Sequence, residues 1–225
     1  MKGDPVPFRD RKDAGRQLAQ RLRQYANNPE VLVLGLPRGG VPVAAEVASA
    51  LCAPMDVFIV RKLVLPGFKS GAFGAIASGG VSVLNTAIVE ELGIPDVALE
   101  AIQERESREL QRQERVYRGE SEPPANVIGR LVILVDDGMA TGWSIRAVIA
   151  ALRPRRPARI VLAMPVASPT CLRELTDEAD EVVCLETPEH MASVGDSYLD
   201  FQPVTEEEVH CILDSADCHE PVHVS

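Results

Sequence analysis

The chain has 225 residues, of which 46% are hydrophobic and 25% charged, a length and balance that leave room for one α/β domain with a full core. Its net charge of −10 argues against non-specific binding to nucleic acid or to an anionic membrane, because neither surface attracts an acidic protein. A phosphate ligand stays compatible with this charge if local cations, backbone dipoles and a metal ion, here Mg²⁺, meet it.

The start of the chain and the cysteines indicate a cytoplasmic protein. Residues 1–12 lack the apolar core of a signal peptide, and no apolar run approaches the ~20 residues needed to span a membrane. The five cysteines are odd in number and lack C-x-x-C spacing, which fits reduced thiols better than a disulfide framework.

A glycine-rich loop follows the first predicted strand. Before that strand, a helix is predicted to begin after Asp10, which is placed as its N-cap. The apolar residues of this helix fall on one face: Ala14, Leu18, Leu22 and Tyr25. Residues 31–34 then form a buried strand that runs into Arg38, Gly39 and Gly40, just before a second helix. Paired glycines let the backbone approach a ligand, and Arg38 supplies bidentate donors for phosphate oxygens. The G-x-G-x-x-G and Walker spacings are absent, so neither of those nucleotide sites is predicted.

Two cations follow the next predicted strand. Residues 56–60 should form that strand and deliver Arg61 and Lys62 at its carboxyl end, on the same edge of the sheet as the glycine loop. A pair of solvated charges at a strand end is the simpler alternative. Residues 65–71 indicate a mobile loop, and residues 72–84 indicate a hairpin that turns at its Ser-Gly-Gly.

Residues 86–124 have the character of a charged helical insertion. A helix is predicted over 96–118, with opposite charges at i,i+4 in the pairs Glu104/Arg108, Arg105/Glu109 and Glu114/Arg118. Such a charge run is typical of a solvated face. A thin apolar stripe is enough to lie on the domain or to meet another subunit, so a homodimer is one expectation; its residues are Leu99, Ile102, Leu110 and Tyr117.

The central motif is an apolar strand that ends in two carboxylates and a small-residue turn. Residues 132–135 suit a strand buried on both faces, and a helix follows at 145–152. Between them, four residues can turn N–H groups and hydroxyls toward a phosphate at a helix N-terminus: Ala140, Thr141, Gly142 and Ser144. Asp136 and Asp137 cannot bind that phosphate, but they can accept hydrogen bonds from sugar hydroxyls or help to hold Mg²⁺ through water. The motif therefore predicts a sugar phosphate as ligand.

The remaining elements complete the sheet. Strands are predicted over 159–166 and 181–185, and Thr205 with Glu208 forms a capping box for a final helix that ends near Asp214. Soft ligands crowd near the end of the chain, at His210, Cys211, Cys218, His219 and His223. Their spacing matches no zinc pattern well, and a flexible tail over 215–225 is the simpler interpretation.

The central motif resembles the 5-phosphoribosyl 1-pyrophosphate (PRPP) motif of type I phosphoribosyltransferases, an apolar strand followed by two acidic residues and a Thr-Gly-x-Ser/Thr loop. Gly138 departs from that pattern, which usually has an aliphatic residue there. The resemblance implies that Asp136 and Asp137 contact the ribose hydroxyls and that Mg²⁺ is held mainly through PRPP and water, with these carboxylates as further ligands. It also implies that the 5′-phosphate binds at Met139, Ala140, Thr141, Gly142, Trp143 and Ser144.

A wider resemblance covers nearly the whole chain. Phe8-Arg9-Asp10-Arg11, Leu-Pro-Arg-Gly-Gly, Asp-Asp-Gly and Tyr-Leu-Asp-Phe resemble bacterial phosphoribosyltransferase-like proteins of unassigned substrate. The implied domain, residues 1–214, is a single parallel β-sheet flanked by helices, with a hairpin lid, the charged insertion and a small hood at about 165–205. Arg38, Gly39 and Gly40 would hold pyrophosphate. The candidate hood residues for the acceptor are Val166, Ala167, Tyr198, Asp200 and Phe201.

Two functions follow from the resemblance. The first is a Mg²⁺-dependent enzyme that transfers phosphoribosyl from PRPP to a nucleobase or another nitrogen nucleophile, with Asp136, Asp137, Arg61 and Lys62 as its catalytic residues. The second is a regulatory module that binds PRPP or a nucleotide without turnover. Arg61, Lys62 and the lid favour the enzyme, because a binding module does not need them. The sequence does not identify the small-molecule acceptor.

Overall fold

The computed structural model describes residues 7–65, 72–119, 125–139 and 143–217, and for Trp143, Ser144 and Asp217 it describes the backbone alone. The helices are α1 (Arg11–Arg21), α2 (Gly40–Leu51), α3 (Thr86–Glu91), α4 (Asp96–Arg118), α5 (Trp143–Leu152), α6 (Pro169–Leu175) and α7 (Glu206–Asp217). The strands are β1 (Val31–Gly35), β2 (Met55–Val57), β3 (Val60–Leu63), β4 (Gly74–Ala77), β5 (Val81–Leu84), β6 (Leu131–Val135), β7 (Arg159–Val166) and β8 (Glu181–Glu186).

Five strands form one parallel sheet in the order β2-β1-β6-β7-β8. Their alternating side chains enter two cores. In β1, Val31 and Val33 face a core with α1, α2, α4 and α7, whereas Leu32 and Leu34 face a core with α5 and α6. Burial on both faces explains why the central strands are continuous aliphatic runs, and it confirms the predicted α/β sheet flanked by helices.

The small antiparallel sheet β3-β4-β5 corrects one prediction. Residues 56–60 do not form a single strand, because β2 ends at Val57 and the chain then leaves the parallel sheet. Ser78 holds this departure: its hydroxyl accepts a hydrogen bond from the Ile59 N–H at 3.1 Å, and its own N–H donates to the Ile59 carbonyl at 2.9 Å. Arg61 and Lys62 therefore lie inside β3, opposite Ile76 and Ala75 of the predicted hairpin, which is confirmed.

Helix α4 begins and ends where the charge pattern predicts, but it is not a solvated rod. The stripe residues Ile102, Leu110 and Tyr117 are buried in the core beside α2 and α7. Two charged residues are buried as well. Glu106 is 6% exposed, and the Arg118 side chain, 4% exposed, donates to Asp56 at 2.7 Å. The helix thus lies on the domain, and the homodimer stays a prediction.

Capping follows the predicted pattern at both ends of the chain. Asp10 accepts a hydrogen bond from the Asp13 N–H at 2.7 Å. Thr205 and Glu208 form the reciprocal capping box of α7, with bonds of 2.8 and 3.1 Å. Helix α7 runs through Asp217, three residues beyond the predicted end of the domain at 214. Over the described ranges, no helix is both long and apolar enough to cross a membrane.

Candidate active site at the carboxyl ends of β1 and β6

The two predicted ligand loops leave the sheet side by side. Strands β1 and β6 pair in parallel with Gly35 opposite Val135, and the Leu36 N–H donates to the Val135 carbonyl at 2.9 Å. From this pair the sheet is built outward in opposite directions, toward β2 on one side and β7 on the other. Parallel sheets bind ligands in the crevice at such a switch point, which agrees with the prediction that both loops serve one ligand.

The glycines of the first loop lie against the two carboxylates of the second. A Cβ atom on Gly39 would lie 2.0 Å from Oδ2 of Asp137, and one on Gly40 would lie 2.6 Å from the Val135 carbonyl and 2.8 Å from the Asp136 Cα. Gly40 also begins α2, and its N–H donates to the Leu36 carbonyl at 3.0 Å within the loop. Glycine is needed at both positions because any side chain would separate the loops. The Pro37–Arg38 peptide bond is cis.

Asp137 is held by hydrogen bonds from two side chains, Arg11 and Tyr198. Arg11 donates from Nε to its Oδ2 at 2.8 Å, and both side chains are nearly buried, at 12% and 13% exposed. The same guanidinium donates from Nη1 to the Gln202 carbonyl at 2.7 Å and lies 3.8 Å above the centre of the Phe201 ring. The Tyr198 hydroxyl donates to the Asp137 carbonyl. This carboxylate is therefore fixed in place before any ligand arrives.

Burial and a neighbouring charge disfavour the ionised form of Asp136. Burial raises the pKa of this carboxyl group well above its usual value, and the charge of Asp137 raises it further. One oxygen, Oδ1, accepts a hydrogen bond from the Asp137 N–H at 2.9 Å. A desolvated carboxylate next to a second carboxylate is stabilised by a nearby positive charge or by hydroxyl groups that donate hydrogen bonds. Hydrated Mg²⁺ offers the first and sugar hydroxyls offer the second. In the described parts of the chain, no cluster of three or more histidine, cysteine or carboxylate side chains could hold a metal.

The three cations predicted at the site, Arg38, Arg61 and Lys62, differ in their surroundings. Arg38 is exposed on the glycine loop and Lys62 is exposed on β3. Arg61 is paired: its Nε and Nη2 donate to Oε2 of Glu106 at 2.9 and 2.7 Å. Arg105 donates to the other oxygen of Glu106 at 3.0 Å, so this buried carboxylate holds two arginines. Before Arg61 could bind a phosphate, it would have to share or leave Glu106.

The 5′-phosphate loop lies largely outside the described residues. Ala140, Thr141 and Gly142 are not among them, and Trp143 and Ser144 form the first turn of α5. Met139 differs from its predicted role in this structure: its side chain is buried, and its N–H donates to the Val166 carbonyl at 2.9 Å instead of facing a ligand.

Gly138, which departs from the family pattern, lets the hood segment at about 165–205 approach the turn after Asp136 and Asp137. A Cβ atom there would lie 2.5 Å from Val194 and 2.7 Å from Val166, so an aliphatic residue does not fit. The glycine leaves room for Val166 and Val194 beside the two carboxylates. It lets the chain after β7 pack closely on the carboxylate turn.

The predicted hood residues are mostly engaged with one another. Val166 and Ala167 are fully buried, so their side chains offer no surface to an acceptor in this structure. The rings of Tyr198 and Phe201 pack with centroids 4.9 Å apart, and Tyr198 is only 7% exposed. Asp200 is exposed. Tyr198 and Phe201 thus serve chiefly to hold Arg11 and Asp137, and their acceptor role stays a prediction.

Sequence reasoning missed Arg11 as a neighbour of the site and Glu106 as the partner of Arg61. Arg11 belongs to the Phe8-Arg9-Asp10-Arg11 segment that supports the family resemblance, but it is 126 positions from its partner Asp137. Glu106 lies in a charge run in which nothing marks one glutamate as buried. Each of these residues is defined by a partner that is distant in sequence. Hydrophobic periodicity does not reveal such a partner.

Known proteins of similar sequence and structure identify the family of this chain. The chain matches the model of the phosphoribosyl transferase domain over residues 9–64 and 67–202. It is 45% identical over 210 residues to proteins from two strains of Mycobacterium tuberculosis that carry the provisional name phosphoribosyl transferase; 93% of this chain and 47% of each relative are covered. The chain thus spans about half the length of these relatives.

Among solved structures, the protein TT1426 from Thermus thermophilus superposes with a TM-score of 0.78 at 43% identity, covering 92% of this chain and 97% of that one. The chain belongs to the phosphoribosyl transferase domain family and has the type I phosphoribosyltransferase fold.

Proposed function

We propose that this chain transfers the 5-phosphoribosyl group of PRPP to a nitrogen nucleophile, a nucleobase or another small molecule, and releases pyrophosphate. One observation carries the proposal. The two carboxylates at the end of β6 pack directly against the glycine loop at the end of β1, with Gly39 in van der Waals contact with Asp137. Groups suited to ribose hydroxyls and groups suited to pyrophosphate thereby meet in one crevice of the sheet.

The carboxylates of Asp136 and Asp137 would bind the ribose. Each hydroxyl of the sugar can donate a hydrogen bond to a carboxylate oxygen, and such charge-assisted bonds are stronger than neutral ones. Because Asp137 is already fixed by Arg11, little freedom would be lost when the sugar binds, and the ring would be oriented for reaction at C1.

The glycine loop and the cations would stabilise the leaving group. As the C1–O bond breaks, negative charge grows on pyrophosphate, and the new bond forms from C1 to the acceptor nitrogen, which then loses a proton to solvent. The Gly39 backbone would meet that charge together with the exposed Arg38 and Lys62 and with Arg61 once it leaves Glu106. Electrostatic stabilisation of this kind needs no covalent intermediate with the protein.

Mg²⁺ is the proposed cofactor, and the donor set fits it only in part. Asp136 and Asp137 are the carboxylates at the crevice, and one oxygen of each already accepts a hydrogen bond within the protein. The ion would therefore be bound mainly through PRPP and water, as Mg²⁺ commonly is in phosphate sites. When bound, it would neutralise pyrophosphate charge.

A non-catalytic PRPP- or nucleotide-binding regulator is the second candidate, and the Arg61–Glu106 pair favours it. An arginine held by a buried glutamate is less available to a leaving group than a free one. If this pair persisted with ligand bound, PRPP would be held without the full set of cations that the transfer requires. The cytoplasmic location remains a prediction.

Turnover separates the two candidates. The protein is incubated with PRPP and Mg²⁺ against a panel of purines, pyrimidines and small amines, and pyrophosphate release is recorded. Release that depends on one acceptor supports the enzyme, and the Asp136→Asn, Asp137→Asn double variant is the control for contaminating activity. PRPP binding with no release for any acceptor in a broad panel supports the regulator.

A further inference from the structure

Arg11 is an unusual neighbour for a ligand-binding carboxylate because it lies 126 positions before Asp137 in the chain. It is the first residue of α1, and its side chain reaches across the crevice edge to Asp137. Its three contacts, with the Asp137 carboxylate, the Gln202 carbonyl and the Phe201 ring, use both the donors and the flat face of the guanidinium. Lysine could not reproduce this set, since it offers a single point charge without a planar fork.

The segment before α1 is joined to the hood by main-chain hydrogen bonds. The Phe8 N–H donates to the Ser197 carbonyl at 2.9 Å, and the Leu199 N–H donates to the Phe8 carbonyl at 2.8 Å. The next bond, from the Asp200 N–H to the Arg9 carbonyl, is 2.9 Å. Residues 8–11 and 197–202 therefore form one unit, which we name the clamp.

The clamp makes two hydrogen bonds to Asp137. Arg11 bonds the Asp137 side chain, and the Tyr198 hydroxyl bonds the Asp137 carbonyl. Burial, and secondarily the charge of Asp137, raise the pKa of Tyr198, so its hydroxyl stays protonated as a donor. On the far side, Gly39 closes against the same carboxylate. Side chain and backbone of Asp137 are thus both fixed by the clamp.

We propose that Arg11 is a positioning residue for PRPP: it occupies Oδ2 of Asp137 and so sets the orientation in which the remaining lone pairs of that carboxylate meet the ribose. The inference rests on the proposed function, because Asp137 must be a ribose ligand. Arg11 acts through Asp137 and does not touch the ligand itself. Removing it lets the carboxylate rotate, which weakens ligands that contain ribose and leaves inorganic pyrophosphate unaffected.

The test compares three ligands across matched variants. Arg11→Met and Arg11→Lys are titrated calorimetrically with PRPP, ribose 5-phosphate and inorganic pyrophosphate, beside the wild type. Arg16→Met is the control, since Arg16 lies on the same helix and forms a long, exposed ion pair with Glu46 at 3.7 Å. Thermal unfolding of each variant shows that it is folded.

The expected result is selective for ribose. Affinity for PRPP and ribose 5-phosphate should fall about tenfold in Arg11→Met, the size of one charge-assisted hydrogen bond. The loss of affinity for these two ligands should be smaller in Arg11→Lys. Pyrophosphate should bind all variants with equal affinity, and Arg16→Met should bind all three ligands as the wild type does. If Arg11→Met does not fold, the affinity of Arg11→Lys for PRPP and ribose 5-phosphate decides the test. That variant should fold, because it keeps the charge that balances Asp137.

A second set of variants tests whether Arg11 acts through Asp137. In an Asp137→Asn background, Arg11→Met should change ribose 5-phosphate affinity less than about twofold, because interacting residues are not additive. A persistent tenfold loss there, or wild-type affinity in folded Arg11→Met and Arg11→Lys, overturns the positioning role alone. A wild type that binds neither PRPP nor ribose 5-phosphate overturns the proposed function itself.

Discussion

Replacing Gly39 by alanine should disturb the site through a single contact. The backbone of Gly39 is helical, with φ −65° and ψ −34°, so alanine is not strained there. Its Cβ, however, would lie 2.0 Å from Oδ2 of Asp137, and that oxygen must move away from Arg11.

The size of the effect follows from two opposing contributions. Losing the charge-assisted bond between Arg11 and Asp137 costs about 1.5–3 kcal/mol of unfolding free energy. The lower chain entropy of alanine in the unfolded state returns about 0.4–1 kcal/mol. The net loss of about 0.5–2.6 kcal/mol corresponds to a fall in Tm of about 1–10 °C for a domain of this size.

Thermal unfolding and PRPP titration check this prediction together. Gly39→Ala should lower Tm within that range and weaken PRPP at least about tenfold, because the displaced carboxylate no longer faces the sugar. Gly80→Ala is the comparison: Gly80 has φ +76° and open space around it, so alanine there should cost stability without changing PRPP affinity. Unchanged Tm and PRPP affinity in Gly39→Ala would refute the contact between the loops.

Three further substitutions test the charges around the site. Asp136→Asn should be more stable than the wild type, by a margin that grows as pH rises above about 4. The raised pKa of Asp136 means that the wild type loses about 1.4 kcal/mol of unfolding free energy per pH unit, up to the folded-state pKa, whereas asparagine does not ionise. Urea unfolding at pH 4 and pH 7.5 measures the difference. Glu106→Gln should release Arg61 and strengthen PRPP about threefold to tenfold without changing ribose 5-phosphate, as titration would show. Arg118→Met should lower unfolding free energy by about 3–5 kcal/mol in urea, because the mostly buried Asp56 carboxylate loses its cation.

Each of these has an outcome that counts against it. A stability difference between Asp136→Asn and wild type that does not change with pH would contradict the assigned burial of that carboxylate. Unaltered PRPP affinity in Glu106→Gln would mean that Arg61 does not serve the pyrophosphate. For Arg118, the exposed neighbour Arg115 is the matched control, and equal effects of the two substitutions would dismiss the buried pair.

Local patterns were enough to predict much of the fold. The strand over Arg159–Val166 and the helix over Asp96–Arg118 have the predicted bounds, and the caps at Asp10 and Thr205 form the predicted bonds. These features depend on residues within a few positions of each other. The adjacency of the glycine loop and the acidic pair was also predictable, because parallel strands bring their carboxyl ends to one edge.

The failures all involve partners that are distant in sequence. The chain leaves the parallel sheet after Val57 because Ser78, about 20 residues on, bonds Ile59 twice, and no local pattern shows this. Glu106 is buried because Arg61 arrives from β3 to meet it. The contact between Arg11 and the Phe201 ring was missed for the same reason, since it crosses almost the whole chain.

Calorimetric titration of PRPP with Mg²⁺ into the wild type and into the Asp136→Asn, Asp137→Asn double variant tests the central claim most directly. Both substitutions keep side-chain shape, so circular dichroism should show an intact fold. The account predicts saturable PRPP binding by the wild type and loss of that binding in the folded double variant. Equal affinity in the two proteins would contradict the placement of the ribose at the end of β6.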